Sequence, residues 1–166
     1  MRSTLKRPEE PAWQEALQSL LAGDASSYRR VYTVSPLDRI GIVKGRLPAR
    51  LLVSVANDMH VPRERLYGWL GIARTTANRK VNANEALSQD ESERALGIAS
   101  LVGQVQKIVS ESGEAEDFDA ARWTAEWLAE ANPALGGRTA GEFLDTSDGR
   151  TLVSELVARM QTGAYA

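Results

Sequence analysis

The side chains that could do chemistry in this chain are mostly cations, and they are concentrated in one stretch. Residues 39–80 contain nine lysines and arginines against two acidic residues, a net charge of +7. Residues 81–166 contain six basic and fifteen acidic residues, a net charge of −9. Clustered positive charge of this kind is suited to a phosphate backbone, and the acidic part is suited to a cationic surface.

The basic stretch ends in a segment with the spacing of a helix-turn-helix, between Pro62 and Lys80. Gly71 permits a left-handed turn, and Ile72 and Ala77 can pack the second helix onto the first. The side chains left outside can reach base edges and phosphates. We therefore predict a DNA-binding site made of Arg74, Thr75, Thr76, Asn78, Arg79 and Lys80.

One position departs from this motif, and a simpler alternative exists. Tyr67 lies four residues before the turn glycine, where such motifs usually have alanine. We expect its ring to alter the crossing of the two helices. The alternative is a plain helical hairpin with a basic surface.

The residue types of an enzyme site are sparse. His60 is the only histidine, and there is no cysteine to form a thiolate metal site. The sequence has no glycine-rich phosphate loop, no Gly-x-Ser-x-Gly and no His/Asp/Glu cluster at metal-ligand spacing. We expect no catalytic residue, no metal and no cofactor, and hence not an enzyme.

Aromatic residues mark the acidic part. Trp123 and Trp127 are four residues apart on one face of a predicted helix, either as core or as an anchor in a protein interface. An apolar stripe from Leu152 to Met160 leads to Tyr165, near the end of the chain, where most domains become polar. A segment of this kind is suited to insertion into another molecule.

The elements that must position these residues are predicted to be helices, so the fold class is all-α. Ser35-Pro36 opens one helix that ends at Gly45, and Ser88 and Glu91 form a capping box for a helix that runs to about Ser112. Only Val31–Val34 resembles a strand. The other predicted helices are Pro11–Leu21, one from Pro48, one from Pro62 to Gly71, Arg74–Asn82, Asp119–Ala131 and Leu152–Met160.

Three regions follow from these elements. Residues 1–34 form an N-terminal helical extension, residues 35–112 the helix-turn-helix part with its long connecting helix, and residues 113–166 a smaller C-terminal domain. The N-terminus lacks the apolar core of a signal peptide, and no run approaches the roughly 18 apolar residues of a membrane span. We expect a cytoplasmic protein without a membrane partner.

Two stretches of this sequence resemble the Xre/MbcA/ParS family of antitoxins, the partners of RES-domain toxins. One is the segment Leu70–Lys80 with Leu87–Arg94. The other comprises Trp127–Leu128, Asn132–Thr139, Leu144–Thr146 and Gly163–Ala166. Together they extend from about residue 35 to the C-terminus, and the C-terminal motifs are the more specific.

The resemblance implies a function that the composition does not show. Family members are all-helical, dimerise, bind the toxin through the C-terminal domain and repress their own operon. RES-type toxins degrade NAD, and the antitoxin is thought to block the NAD pocket. The partners implied are a cognate RES-domain toxin, operator DNA and a second copy of the chain. The predicted toxin-binding residues are Trp123, Trp127, Met160, Gly163, Ala164, Tyr165 and Ala166. The resemblance implies that the last four of these form the blocking segment.

Two other interpretations remain open at this point. The first is a stand-alone helix-turn-helix transcriptional regulator whose C-terminal domain senses a ligand or a protein. The second is a pure protein-interaction module whose basic helix is only a surface.

Overall fold

Helices account for most of the chain. The computed structural model describes residues 11–113 and 115–163. Within them three short 3-10 helices lie at Ala25–Ser27, Pro133–Leu135 and Ala140–Phe143. The α-helices are α1 (Ala12–Leu21), α2 (Tyr28–Tyr32), α3 (Pro36–Gly45), α4 (Arg50–Asp58), α5 (Arg63–Leu70), α6 (Arg74–Asn82), α7 (Gln89–Ser112), α8 (Ala120–Ala129) and α9 (Ser147–Gln161). The prediction of an all-α fold is confirmed.

Local capping chemistry sets several helix ends. The Ser35 hydroxyl accepts a hydrogen bond from the Asp38 N–H at 3.1 Å, and Pro36 occupies the first position of α3. At α7 the Ser88 hydroxyl accepts from the Glu91 N–H, and the Glu91 carboxylate accepts from the Ser88 N–H. These bonds satisfy donors that a helix start leaves free, so both starts could be predicted from sequence.

The long helix α7 is the centre of the molecule. Helices α2, α3, α8 and α9 all pack against it. At Gly103 the backbone of α2 comes so close that a Cβ atom would lie 2.1 Å from the Tyr28 carbonyl oxygen. A larger residue at this position would force the two helices apart. The buried stripe of α7 includes Ala95, Leu96, Ile98, Ala99, Val102 and Val105.

The prediction of an extended segment at Val31–Val34 is wrong. Val31 and Tyr32 belong to α2, which follows a 3-10 turn capped by Asp24. Val31 is buried, and the Tyr28 hydroxyl donates a 2.7 Å hydrogen bond to Asp58. The contacts of α2 with α7 therefore outweigh the weak strand preference of these residues.

The C-terminal helices share a core with the helix-turn-helix part. Residues 113–119 connect α7 to α8, and α8 and α9 both return to α7. The indole ring of Trp69 in α5 packs directly against Gly141. A Cβ atom added at Gly141 would lie 2.2 Å from Trp69 Nε1, so only glycine fits there. The domain limits at residues 34 and 112 stay a prediction. Among the described residues, no helix combines the length and the apolar character needed to cross a membrane.

Candidate functional site

All the predicted DNA-binding residues lie on α6, and the structure divides them between two faces. The inner residues are partly buried against α5 and α7, and the outer ones are exposed to solvent. The inner face holds Thr76, Asn78 and Lys80. The outer face holds Arg74, Thr75 and Arg79.

Both exposed arginines of α6 have carboxylate partners. Arg74 Nη2 lies 3.4 Å from Glu64 Oε1, and Arg79 Nη1 lies 2.9 Å from Glu85 Oε2. Exposed pairs of this type contribute only about 0–1 kcal/mol, because water competes for both charges. The two guanidinium groups must therefore leave these carboxylates before they can bind phosphates, at a cost of up to about 1 kcal/mol each.

Lys80 is held differently from these arginines. Its Nζ atom lies 2.6 Å from Glu91 Oε2, and the two side chains are only 14% and 12% exposed. Burial raises the pKa of Glu91, but hydrogen bonds from Lys80 and Ser88 outweigh it and hold that pKa below its usual range. Lys80 thus joins α6 to the start of α7 and lacks the free charge that the prediction assumed for it.

Asn78 is also turned towards the protein. The Tyr67 hydroxyl donates a 3.2 Å hydrogen bond to Asn78 Oδ1 and joins α5 to α6. The Tyr67 ring is 1% exposed, and its burial raises the pKa of the hydroxyl. The bulky ring therefore fills the space between the two helices and occupies an amide oxygen that was expected to face DNA.

An earlier pair of helices, α4 and α5, also has the features of a helix-turn-helix. His60 lies between them with a φ of 55°, in the left-handed region that such a turn requires. Ala56, four residues before His60, is fully buried and lets the helices approach closely. We did not predict this turn, because glycine usually occupies a left-handed position and Gly71 was the evident candidate. Ala56 was the signal that could have indicated it.

The α4–α5 pair presents cations without a carboxylate partner in the part of the chain that the structure describes. Arg50 of α4 and Arg63 and Arg65 of α5 are all exposed. Within the described residues, none of them lies within 4.0 Å of a carboxylate oxygen. Their full charge is available to phosphates, whereas that of α6 is partly neutralised.

The aromatic candidates of the acidic part lie together on α8. The rings of Trp123 and Trp127 stack with centroids 6.2 Å apart and planes 9° apart. Phe118, just before α8, lies 6.3 Å from Trp123 and was not predicted as a site residue. Both tryptophans are partly buried against the core, so they combine packing with an accessible edge.

The end of α9 leads to the predicted blocking segment. Met160 is partly buried, and Val153, Leu156 and Val157 fix the helix on the core. Gly163 is exposed with a φ of 66°. Ala164, Tyr165 and Ala166, the remaining predicted toxin-binding residues, lie outside the described residues.

The one histidine has an acidic neighbour and an exposed position. His60 Nδ1 lies 3.9 Å from Asp119 Oδ2, and the two side chains are 62% and 50% exposed. In the part of the chain that the structure describes, no three His, Asp or Glu side chains are grouped so that they could hold a metal ion.

Two family models match this chain, and they follow one another along it. Residues 38–100 match the antitoxin Xre-like helix-turn-helix domain. Residues 116–163 match the antitoxin Xre/MbcA/ParS C-terminal toxin-binding domain. A curated relative, the Prs ADP-ribosylating antitoxin of Sphingobium sp. (strain YBL2), is 41% identical over 140 residues, which are 84% of this chain and 88% of the relative.

These matches and the fold define a helix-turn-helix protein with a helical toxin-binding domain. The chain belongs to the Xre/MbcA/ParS family of antitoxins. The resemblance seen in the C-terminal motifs is therefore confirmed.

Proposed function

We propose that this protein neutralises a cognate RES-domain toxin that degrades NAD, by occluding the toxin's active site with the segment that follows α9. The observation that carries this is the toxin-binding match over residues 116–163, which ends where the predicted blocking residues begin. Gly163 lets the chain leave the helix, and Ala164, Tyr165 and Ala166 enter the pocket. In this arrangement the tyrosine ring stacks where a base of the dinucleotide would bind.

Charge supports a nucleotide pocket as the target. A pocket that holds two phosphates must offer cationic groups, and residues 81–166 carry a net charge of −9. The name of the Sphingobium relative refers to ADP-ribosylation, a reaction whose ADP-ribose comes from NAD. An NAD-consuming toxin is consistent with both observations.

Truncation of the C-terminus tests the occlusion mechanism. A variant that ends at Gln161 keeps all of α9, so it should fold, dimerise and still bind the toxin. It should fail to restore growth to cells that express the toxin, because the blocking residues are missing. A Gln18→Ala variant of the full chain, altered at an exposed position of α1, is the control and should protect. Full protection by the truncated variant would contradict occlusion.

We further propose that the protein binds operator DNA and represses its own operon. The Xre-like helix-turn-helix match and the net charge of +7 over residues 39–80 support this. Arg63 and Arg65, which have no carboxylate partner among the described residues, make α5 the principal contact. Arg74, Thr75 and Arg79 on the outer face of α6 contact the flanking phosphates.

The protein is proposed to act as a homodimer through α3. Leu37 is 79% exposed and Ile40 is 53% exposed, and both lie on one face of this helix. Beside them is a groove of about 380 Å³ between α3, α7 and the start of α9, lined in part by Ile40, Val43 and Leu96. A helix that carries both an apolar ridge and one wall of a groove can pair with its own copy about a two-fold axis.

A further inference from the structure

A small apolar pocket opens between α7, α8 and α9. On the basis of the function proposed above, we propose that this pocket is a socket for one apolar side chain of the toxin, presented from a basic surface. The socket is separate from the C-terminal blocking segment. It would hold the toxin in place while that segment occupies the active site.

The walls of the pocket come from three helices. Val105 and Val157 are almost fully buried at its base, and Phe118 and Trp123 form an aromatic wall. Gln161 is the polar member of the lining, and its Nε2 atom donates a 3.1 Å hydrogen bond to Glu111. The remaining lining residues are Ile108, Val109 and Met160.

The size of the pocket matches one side chain. Its volume is about 140 Å³. Apolar cavities of about 150 Å³ hold a benzene ring and stay dry, because a water molecule needs two to four polar partners. A phenylalanine, leucine or methionine side chain therefore fits this pocket better than water does.

The aromatic wall has the character of a binding hot spot. Phe118 is 38% exposed and, with Leu37 and Ile40, is one of three exposed large hydrophobic residues in the described part of the chain. Aromatic anchors at interfaces contribute most of their energy when a partner covers them. Phe118 and Trp123 also lie within the segment matched to the toxin-binding domain.

The charges around the pocket indicate which partner covers it. Phe118 lies between Asp117 and Asp119, with Glu116 just before them, and all three carboxylates are exposed. Glu111 adds a carboxylate at the rim through its bond to Gln161, and its other oxygen lies 3.9 Å from Lys107 Nζ, so this charge is partly balanced. An apolar anchor surrounded by basic residues complements this rim, and a nucleotide-binding toxin supplies such a surface.

A second copy of the chain is the other source of an apolar residue with basic neighbours. Leu37 and Ile40 on α3 lie close to Arg39 and Lys44 in sequence. Insertion of α3 into this pocket would be a contact between different surfaces, which either closes into a ring or continues as an open chain of molecules. In the two-fold dimer proposed above, α3 is covered by its own copy and is not free to enter this pocket, so we assign the pocket to the toxin.

Two variants change the pocket without touching the blocking segment. Ile108→Phe adds bulk inside it, and Phe118→Ala removes part of its wall. Each should weaken binding of this chain to its cognate RES-domain toxin by about tenfold or more, because a hot-spot contact is lost. Gln18→Ala, at an exposed position of α1 outside every surface proposed above, is the control and should bind as the natural chain does. Calorimetric titration measures the affinities, and thermal melting shows that each variant is folded.

A third variant tests the acidic rim and leaves the buried residues of the pocket unchanged. Glu116→Gln with Asp117→Asn removes two exposed charges, and asparagine tolerates the left-handed backbone of Asp117. It should weaken toxin binding and make the affinity less sensitive to salt.

Three outcomes separate the possibilities. Toxin affinity equal to that of the natural chain in both folded pocket variants would overturn the socket. A change in the self-association of Ile108→Phe with no change in its toxin affinity would also overturn it, in favour of a second copy. If the natural chain fails to bind this toxin at all, the proposed function fails instead.

Discussion

Lys80 and Glu91 form an ion pair that is largely removed from solvent at both ends. The Glu91 carboxylate also accepts a hydrogen bond from the Ser88 N–H. It therefore caps the N-terminus of α7 and, through Lys80, binds α6 to that end of the helix. Removing one partner of such a pair leaves a poorly solvated charge, which costs far more than the loss of an exposed pair. Lys80 is therefore a structural residue of the helix-turn-helix part.

Substitution of Lys80 tests this role. Lys80→Met should lower the free energy of unfolding by about 2 kcal/mol or more, since Glu91 is left without its cation. Arg79→Met removes an exposed pair on the same helix and should cost less than about 1 kcal/mol. Urea unfolding at neutral pH measures both. Equal effects of the two substitutions would contradict a structural role for Lys80.

The same pair predicts a dependence on pH. The pKa of Glu91 is lower in the folded state than in the unfolded chain, so its stabilising contribution is present at neutral pH. That contribution is lost as the pH falls from the ordinary range of a glutamate carboxyl through the lower pKa that Glu91 has in the folded state. The stability difference between the natural chain and Lys80→Met should therefore shrink in acid. A difference that stays constant with pH would indicate that Lys80 stabilises by packing alone.

At the scale of elements, α5 and α6 compete as the helix that contacts DNA. Arg63 and Arg65 of α5 are free of carboxylates among the described residues, while Arg74 and Arg79 of α6 are paired. The double variant Arg63→Ala with Arg65→Ala should lose about tenfold or more in operator affinity, and its salt slope should fall by about 2.

The double variant Arg74→Ala with Arg79→Ala removes the same charge from α6 and is the matched control. It should lose less affinity, because those guanidinium groups must first leave Glu64 and Glu85. Gel shifts at two salt concentrations, with DNA from upstream of the operon, measure both variants. A larger loss from the α6 variant would contradict the choice of α5.

The elements that could be predicted are those whose ends depend on neighbouring residues. The Ser88–Glu91 capping box starts α7, and Gly71, with a φ of 63°, ends α5. Both signals involve residues only a few positions apart, so they can be recognised in the sequence alone. Helix α2 was missed because it depends on close packing against Gly103, a residue of α7 that is far away in sequence. The left-handed His60 was missed because its conformation is not marked by a glycine.

The candidate site was predictable to a similar extent. The spacing of Trp123 and Trp127 correctly placed them on one helical face, while their role in toxin binding stays a prediction. The partners of Arg74, Asn78 and Lys80 come from other helices, and those contacts form only on folding. Phe118 lies in the connection before α8, so helical spacing could not relate it to Trp123. Its contact with Trp123 is visible only in the folded structure.

At the scale of the whole molecule, opposite charges lie in successive parts of one chain that share the core around α7. This arrangement lets the basic part bind DNA while the acidic part binds a toxin. A homodimer would present two basic surfaces to a two-fold symmetric operator.

The α3 surface is tested through the oligomeric state. Leu37→Glu with Ile40→Glu should convert the dimer to a monomer, because four carboxylates would face one another across the two-fold axis. Phe118→Glu places one charge on a different apolar surface and should leave the dimer intact. Sedimentation equilibrium distinguishes these results. A dimer that survives the α3 substitutions would contradict the proposed interface.

The most direct measurement of the central claim is the NAD turnover of the purified toxin during titration with this protein. If the segment after α9 occludes the active site, the full chain should stop turnover once it is equimolar with its binding sites. The variant that ends at Gln161 should bind the toxin yet leave turnover largely unchanged. Complete inhibition by that shortened variant, or unchanged turnover with the full chain bound, would contradict the account.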